Sequence, residues 1–298
     1  MLEEIVTEQE QVTPGRSSST SQALAPKQPL LVIEPTRGWK PINLRDIWIY
    51  RELLVFLTWR DLKIRYKQTI LGAVWVIVQP LLMTLIFTIF LGKLARVPSK
   101  DIPYAILVYS GLMPWTFFSN AITYSGNSLV ANTNLVTKIY FPRAIIPAAA
   151  VGGRLVDFGV AFLVMIGLMF YYGIVPGWNL LMFPVFVLLI TMLSLGLGLW
   201  SSALNVRYRD VGIMLPVLVQ LWMFVSPVVY PIDLVPARWQ WLYSLNPMAG
   251  IIEGVRSSLL NRPFNWVAIG SASVITVCVL LYSLFAFKRM EKHFADVV

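Results

Sequence analysis

Trp59-Arg60-Asp61-Leu62-Lys63-Ile64-Arg65-Tyr66-Lys67-Gln68-Thr69-Ile70-Leu71-Gly72-Ala73-Val74-Trp75-Val76-Ile77-Val78-Gln79-Pro80-Leu81-Leu82 passes from a basic segment into an apolar one without a break. No charged residue lies between Lys67 and Lys93. A bilayer core of roughly 30 Å takes about 20 such residues as helix. The chain therefore enters a membrane here. Lys and Arg collect on the cytoplasmic flank of a span, so the basic residues mark the side of entry.

Working back towards the N-terminus, Ile47, Tyr50, Leu54 and Leu57 recur at spacings of three and four, and Arg60, Lys63 and Lys67 form a separate stripe. Asp61 and Arg65 stand four apart, a spacing that allows a helical ion pair. The pattern predicts an amphipathic interfacial helix over about 44–67, with its basic residues Arg60, Lys63, Arg65 and Lys67 towards the headgroups. The blander alternative is a basic flank that halts insertion. Residues 1–40 are rich in Ser, Gln, Pro and Glu and bury too little apolar surface to offset ordering, which predicts a disordered tail. That tail lacks the basic start and apolar run of a signal peptide.

Working forward, six apolar segments are expected near 69–92, 103–125, 144–172, 179–204, 211–230 and 266–287, making 41–298 one transmembrane domain. Thirteen basic residues fall in loops assigned to the inside and six in those assigned to the outside, which places both termini in the cytoplasm. The stretch from Ser226 to Pro263 has apolar pieces too short to cross, broken by Pro, and carries Arg238, Glu253 and Arg256. A re-entrant helical hairpin before the last span accounts for it, since broken backbone at membrane depth needs cover from protein or water. An ordinary outer loop with interfacial aromatics is the other reading. The fold class is thus an all-α polytopic membrane protein with six transmembrane helices.

Composition agrees. The chain is 57% hydrophobic and 13% charged, against about 25% charged in soluble domains. A net charge of +9 raises nucleic acid as a partner, but the basic residues sit at the ends of apolar runs instead of lining one polar domain. One cysteine, Cys278, and one histidine, His293, exclude a disulfide framework and the usual thiolate and imidazole metal sites. No G-x-x-x-x-G-K-[ST] loop occurs, so no nucleotide is hydrolysed here by that route.

Ionisable residues inside spans are candidates for function. Arg154 and Asp157, three apart, read first as a structural ion pair and second as a substrate or proton site. Gln79 and Gln220 read as polar contacts between helices. Trp75, Phe87, Phe90, Phe117, Phe118, Trp222 and Phe224 fall within the spans and are candidates to line a channel, because sugar C–H faces pack on aromatic rings. Contact with lipid or neighbouring helices is the alternative for each. The inside segment Gly126–Pro147 carries a short periodic apolar run and then Tyr140-Phe141-Pro142-Arg143. An exposed helix of that kind needs a partner to cover it, which suggests a separate cytoplasmic motor.

These residues also carry a resemblance. Asp61–Gly72 with Gln79-Pro80-Leu81, Lys138–Arg143, Asn205–Asp210, Phe224–Pro231 and Leu245–Met248 occur in the order found in membrane (permease) subunits of type-2 ABC polysaccharide exporters, and the sequence resembles that family from about Asn43 to Lys292. The group exports O-antigens, teichoic acids and capsules. The resemblance implies a homodimer bound to two copies of a cytoplasmic ATPase, which alone binds ATP and Mg, so that this chain is no enzyme and carries no cofactor. It implies a coupling helix at Asn127–Arg143, with Asn132, Lys138, Tyr140, Phe141 and Arg143 at the ATPase. It implies an outer gate at Ser226–Pro263 and a lipid-linked glycan, O-antigen above all, as substrate in the bacterial cytoplasmic membrane. A drug-exporting type-2 ABC subunit shares the fold. A membrane-embedded glycan-modifying enzyme would need clustered acidic residues, which the sequence lacks.

Overall fold

The computed structural model describes residues 48–67, 74–96, 102–138, 141–291 and 294, all within one compact unit. The expected tail over 1–40, residues 44–47 of the interfacial helix, and Tyr140 lie outside the described residues. Ten α-helices are described and no strand. Five membrane-length apolar helices, counted with their flanking single turns, are present.

The helix α1 (Arg51–Lys67) precedes α2 (Val74–Phe87), which runs on into a π-helical turn, Thr88–Leu94. Next come α3 (Tyr104–Ala131), the short α4 (Thr133–Lys138) and α5 (Ile145–Tyr171). A 3-10 turn at Trp178–Met182 leads into α6 (Phe183–Arg207). The remainder is α7 (Asp210–Val225), α8 (Ala237–Ser244), α9 (Pro247–Leu259) and α10 (Trp266–Glu291).

The helix α3 is the hub. Some 78% of its most apolar window is buried inside the subunit, against 11% for α2. It packs against α5, α6, α7 and α9, and its Tyr109, Phe118 and Ile122 have almost no exposure. By contrast α2 and α7 turn Leu82, Met83, Leu85 and Ile86, and Ile213, Val217, Leu218 and Leu221, outward. Contiguous apolar surface of this extent is stable only against lipid or another protein.

Two expected boundaries move, and one expected ion pair meets competing partners. The segment expected over 211–230 is helical only to Val225, because Pro227 disfavours helix at the residue before it and Ser226 is extended at φ −103°, ψ 146°. The loop expected from Gly126 begins later. The helix α3 continues to Ala131, where Ser128 and Asn132 bond back to the preceding turn. Asp61 has a nearer partner than the one expected. Arg60 takes Asp61 at 2.8 Å, and Arg65 reaches across to Asp157 on α5.

Local signals explain the short helices. Asn246 caps α9, its Oδ1 accepting from the Met248 N–H at 3.1 Å, and Pro247 occupies the first turn, where no N–H is needed. The residues just beyond α9 reach Asn261, at φ +52°, a left-handed position that Asn tolerates better than most residues. At the α6–α7 corner Asn205 donates to the Gly126 carbonyl at 3.0 Å and accepts from the Gly212 N–H at 3.0 Å, tying the corner to α3.

Candidate functional site

Three polar stations interrupt this apolar body. The first joins α1, the α3–α4 turn and the end of α10. Leu57 and Leu62 of α1 are buried, with Tyr50, Leu53 and Leu54 packed against the core that holds Leu57, while Lys63 and Lys67 are exposed. Arg60 donates from Nη2 to Asn132 Oδ1 at 2.9 Å, linking α1 to the turn before α4. Lys138 is exposed. Phe141 is 7% exposed and belongs to this subunit's own core with Val136, Ile145 and Phe287. Arg143 donates from Nη1 to the Glu291 carbonyl at 2.9 Å, and its ring contact is Phe294. The segment following α4 is thus clamped to the last helix, a tie that nothing in local sequence spacing discloses.

The second station surrounds Asp157. Arg154 Nη1 lies 3.2 Å from Asp157 Oδ2, and Arg65 addresses the same oxygen. Tyr66 donates its hydroxyl to Asp157 Oδ1 at 2.6 Å. Burial, then the Asp157 carboxylate, pushes the Tyr66 phenol up to about 12, so it remains a neutral donor at physiological pH. The Arg154 guanidinium stacks 3.4 Å over the Tyr124 ring. Sequence spacing finds the Arg154–Asp157 couple. It misses Arg65, Tyr66 and Tyr124, which arrive from other helices.

Two adjoining cavities open here. One of about 220 Å³ is bordered by Trp75, Gln79, Phe117 and Asn120, and one of about 630 Å³ by Arg60, Thr123, Asn127 and Asn132. Arg65, Tyr124 and Arg154 belong to both.

The third station is the broken segment after α7. Arg256 on α9 is 1% exposed and donates to the carbonyls of Val228 at 2.6 Å, Tyr230 at 3.2 Å and Leu107 at 3.3 Å. Tyr104 donates to the Val229 carbonyl at 2.7 Å. Asn246 donates to Ser226 Oγ at 2.9 Å. Glu253, 3.9 Å from Arg256, is its acidic neighbour. A non-helical strip that would strand its carbonyls in an apolar interior is satisfied by side chains from α3 and α9. Arg256 therefore serves the interior, where sequence alone counted it among loop charges.

The aromatic candidates divide by exposure. Phe117 and Phe118 are core residues, packed on Phe158 and edge-on to Trp222 respectively. Phe87 and Trp222 are half-buried, and the Trp222 indole donates to Asn246 Oδ1 at 3.1 Å. Trp75, Phe90 and Phe224 are exposed. Gln79 and Gln220 are exposed as well. Among the described residues no cluster of His, Cys, Asp and Glu could hold a metal ion.

A helical multi-pass membrane protein whose sequence has no phosphate-cradling loop is the class these features define. The ABC-2 type transporter family matches the chain over residues 52–260, and the chain belongs to that family. It is 29% identical over 248 residues to an O-antigen export system permease protein of Klebsiella pneumoniae, covering 83% of this chain and 95% of that protein. An O-antigen export system permease protein of Myxococcus xanthus is 28% identical, covering 86% and 98%. A polysialic acid transport protein of Escherichia coli is 25% identical, covering 78% and 91%.

Proposed function

We propose that this chain is the membrane-spanning subunit of an ABC transporter that exports a lipid-linked polysaccharide, O-antigen foremost, across the cytoplasmic membrane, powered by ATP hydrolysis in a separate subunit. One observation carries the reading: near-full-length similarity to permeases of polysaccharide export, on a helical body with no nucleotide loop of its own.

The finer assembly belongs to the same proposal. Two copies enclose the path, two ATPase subunits drive it, and both termini are cytoplasmic. Supporting the sixth span, α7 carries no charge after Asp210 and continues into a non-helical strip. Its 16 residues cover about 24 Å as helix, most of a bilayer core. The helix α1 is the interface helix, which its exposed Lys63 and Lys67 support. The helix α4 is the coupling helix, with Lys138 offered outward and Phe141 holding the following turn in place. The helices α8 and α9 form the re-entrant outer gate. Trp75, Phe90 and Phe224 are the aromatics best placed to meet a sugar chain, because they are exposed on the single subunit.

Deleting the gene should remove surface polysaccharide and accumulate its lipid-linked precursor inside, with recovery on re-expression. The purified chain without any ATPase should not hydrolyse ATP. Unchanged surface glycan in the deletion strain, or robust hydrolysis by the isolated chain, overturns the reading.

A further inference from the structure

We infer that Asn127, Asn205 and Gly212 are positioning residues for transport: they form the joint that makes the inner end of α7 follow α4, and α7 bends at Pro216 as it does so. The inference deepens the proposed function, on which the motor and its contact at α4 rest. The joint itself rests on geometry.

Three helix ends meet at this corner. Asn205, two residues before the end of α6, is 3% exposed. Its Nδ2 donates to the Gly126 carbonyl and to Asn127 Oδ1, both at 3.0 Å, and its Oδ1 accepts from the Gly212 N–H at 3.0 Å. One amide thus ties the ends of α3 and α6 to the first turn of α7. The fit is close. A Cβ at Gly212 would lie 2.5 Å from Asn127 Oδ1, and one at Gly126 would lie 2.5 Å from the Leu215 side chain. Marking the cytoplasmic side takes only basic residues, which exposed Arg207 and Arg209 supply. A buried amide with three bonds made is more than that task needs.

The joint stands close to α4. Asn132 alone separates α3 from α4, and its carbonyl accepts from the N–H groups of Leu135 at 2.9 Å and Val136 at 3.2 Å. A push on α4 therefore reaches Asn127 through about two turns of helix.

The two ends of α7 are held by different bodies. Towards its far end, Trp222 packs edge-on to Phe118, and its indole donates to Asn246 at the head of α9. Between the ends lies Pro216, which offers no N–H to the Gly212 carbonyl one turn back. A helix without that bond bends there in preference to elsewhere. Among the described residues of α7 only Val219 is buried, so little packing opposes the bend. Pro114 interrupts α3 in the same way, but α3 is enclosed by its neighbours. With its inner end drawn by α4 and its outer end anchored on α9, α7 becomes a lever at the inner mouth of the path.

The test uses the complex with its ATPase in nanodiscs, in a cysteine-free background that includes Cys278→Ser. Spin labels go on exposed Met214→Cys or Leu221→Cys of α7, each with exposed Leu281→Cys of α10. Electron–electron distances are read without nucleotide and with ATP trapped by vanadate. The 214–281 distance should shift, and the 221–281 distance much less. Asn205→Ala should abolish the shift and lower surface polysaccharide about tenfold, the effect of one lost buried hydrogen bond on an equilibrium. Asn127→Asp keeps the accepting oxygen and should keep both. Pro216→Ala separates coupling from stability. It restores a backbone donor, so the unfolding temperature should hold or rise while the shift and export fall.

A shift that survives Asn205→Ala, equal shifts at both labels, or normal export by Pro216→Ala overturns the inference. Should Asn205→Ala fail to assemble, Pro216→Ala and Asn127→Asp still decide it. Labels that move as expected, in a protein whose gene deletion leaves surface polysaccharide unchanged, sink the export reading and leave the joint.

Discussion

Replacing Arg256 should loosen the segment after α7 more than any other single change there. Arg256→Met keeps the volume and removes the donors. The Leu107 carbonyl keeps Ser110 Oγ at 2.7 Å, so it loses little. The carbonyls of Val228 and Tyr230 have no other side-chain donor among the described residues, and Val228 is fully buried. A stranded buried acceptor costs about 1–3 kcal/mol. The half-buried Tyr230 carbonyl loses less, so the two together, with Glu253 losing its cationic neighbour, give about 2–5 kcal/mol. Arg256→Lys should recover about half, because one ammonium cannot reach both carbonyls in the same geometry. Tyr104→Phe, which frees only the Val229 carbonyl, should cost about 1–2 kcal/mol. Gly111→Ala reaches the same contact from the other side. Its Cβ would stand 2.2 Å from the Val228 oxygen and 2.7 Å from Arg256 Nη2, so the strip must move, at about 1–3 kcal/mol for overpacking. The assay is reversible unfolding in mixed micelles, with hydrogen exchange followed over residues 226–231. If Arg256→Met shifts stability by less than about 0.5 kcal/mol and exchange stays slow, side-chain donors are not what hold the strip.

Three further outcomes follow from the other stations. Removing Asp157 by Asp157→Asn leaves two guanidinium groups facing each other, so adding Arg154→Gln should restore part of the lost stability but not all, because Arg65 remains; full recovery in the double variant would show that Arg65 takes no part. Glu291→Gln with Arg143→Gln should reduce export while leaving membrane insertion and ATPase copurification intact, because this clamp lies inside the subunit; loss of copurification would place Arg143 at the partner instead. A cysteine at exposed Gln240, with Cys278→Ser, should react with an impermeant thiol reagent from outside, whereas one at Ser257, with no exposure, should not react from either side; labelling of position 240 from the cytoplasm alone would invert the topology.

The apolar runs were legible because a span must be apolar along its length, whatever surrounds it. Asn246-Pro247 was legible as a break because a capping side chain and a proline both act on backbone within two residues of themselves. Positions set by distant partners were not. Arg65 had a plausible mate four residues away in Asp61, and only tertiary packing sends it to Asp157. Phe141 and Arg143 read as exposed because the segment is polar around them, yet Phe287 and Glu291, about 150 positions on, cover them. The aromatic candidates show the same limit, since a ring in a span has no local mark that separates core from surface, and Phe118 and Phe224 differ only in the company α3 and α7 keep.

The close fit of α9 has a mechanical consequence. A Cβ at Gly250 would lie 2.4 Å from the Ala268 carbonyl of α10, and one at Gly254 would lie 2.1 Å from the Phe186 ring of α6. Backbone and ring meet with no methyl-sized slack, and Arg256 bolts the next turn to the strip. A piece held at this tightness cannot swing as a flap, because packed interiors resist continuous deformation. If the path runs between two copies, its outer mouth opens by tilting whole subunits, so that the barrier behaves as a pair of rigid jaws and its travel is set wherever the motor grips the opposite end.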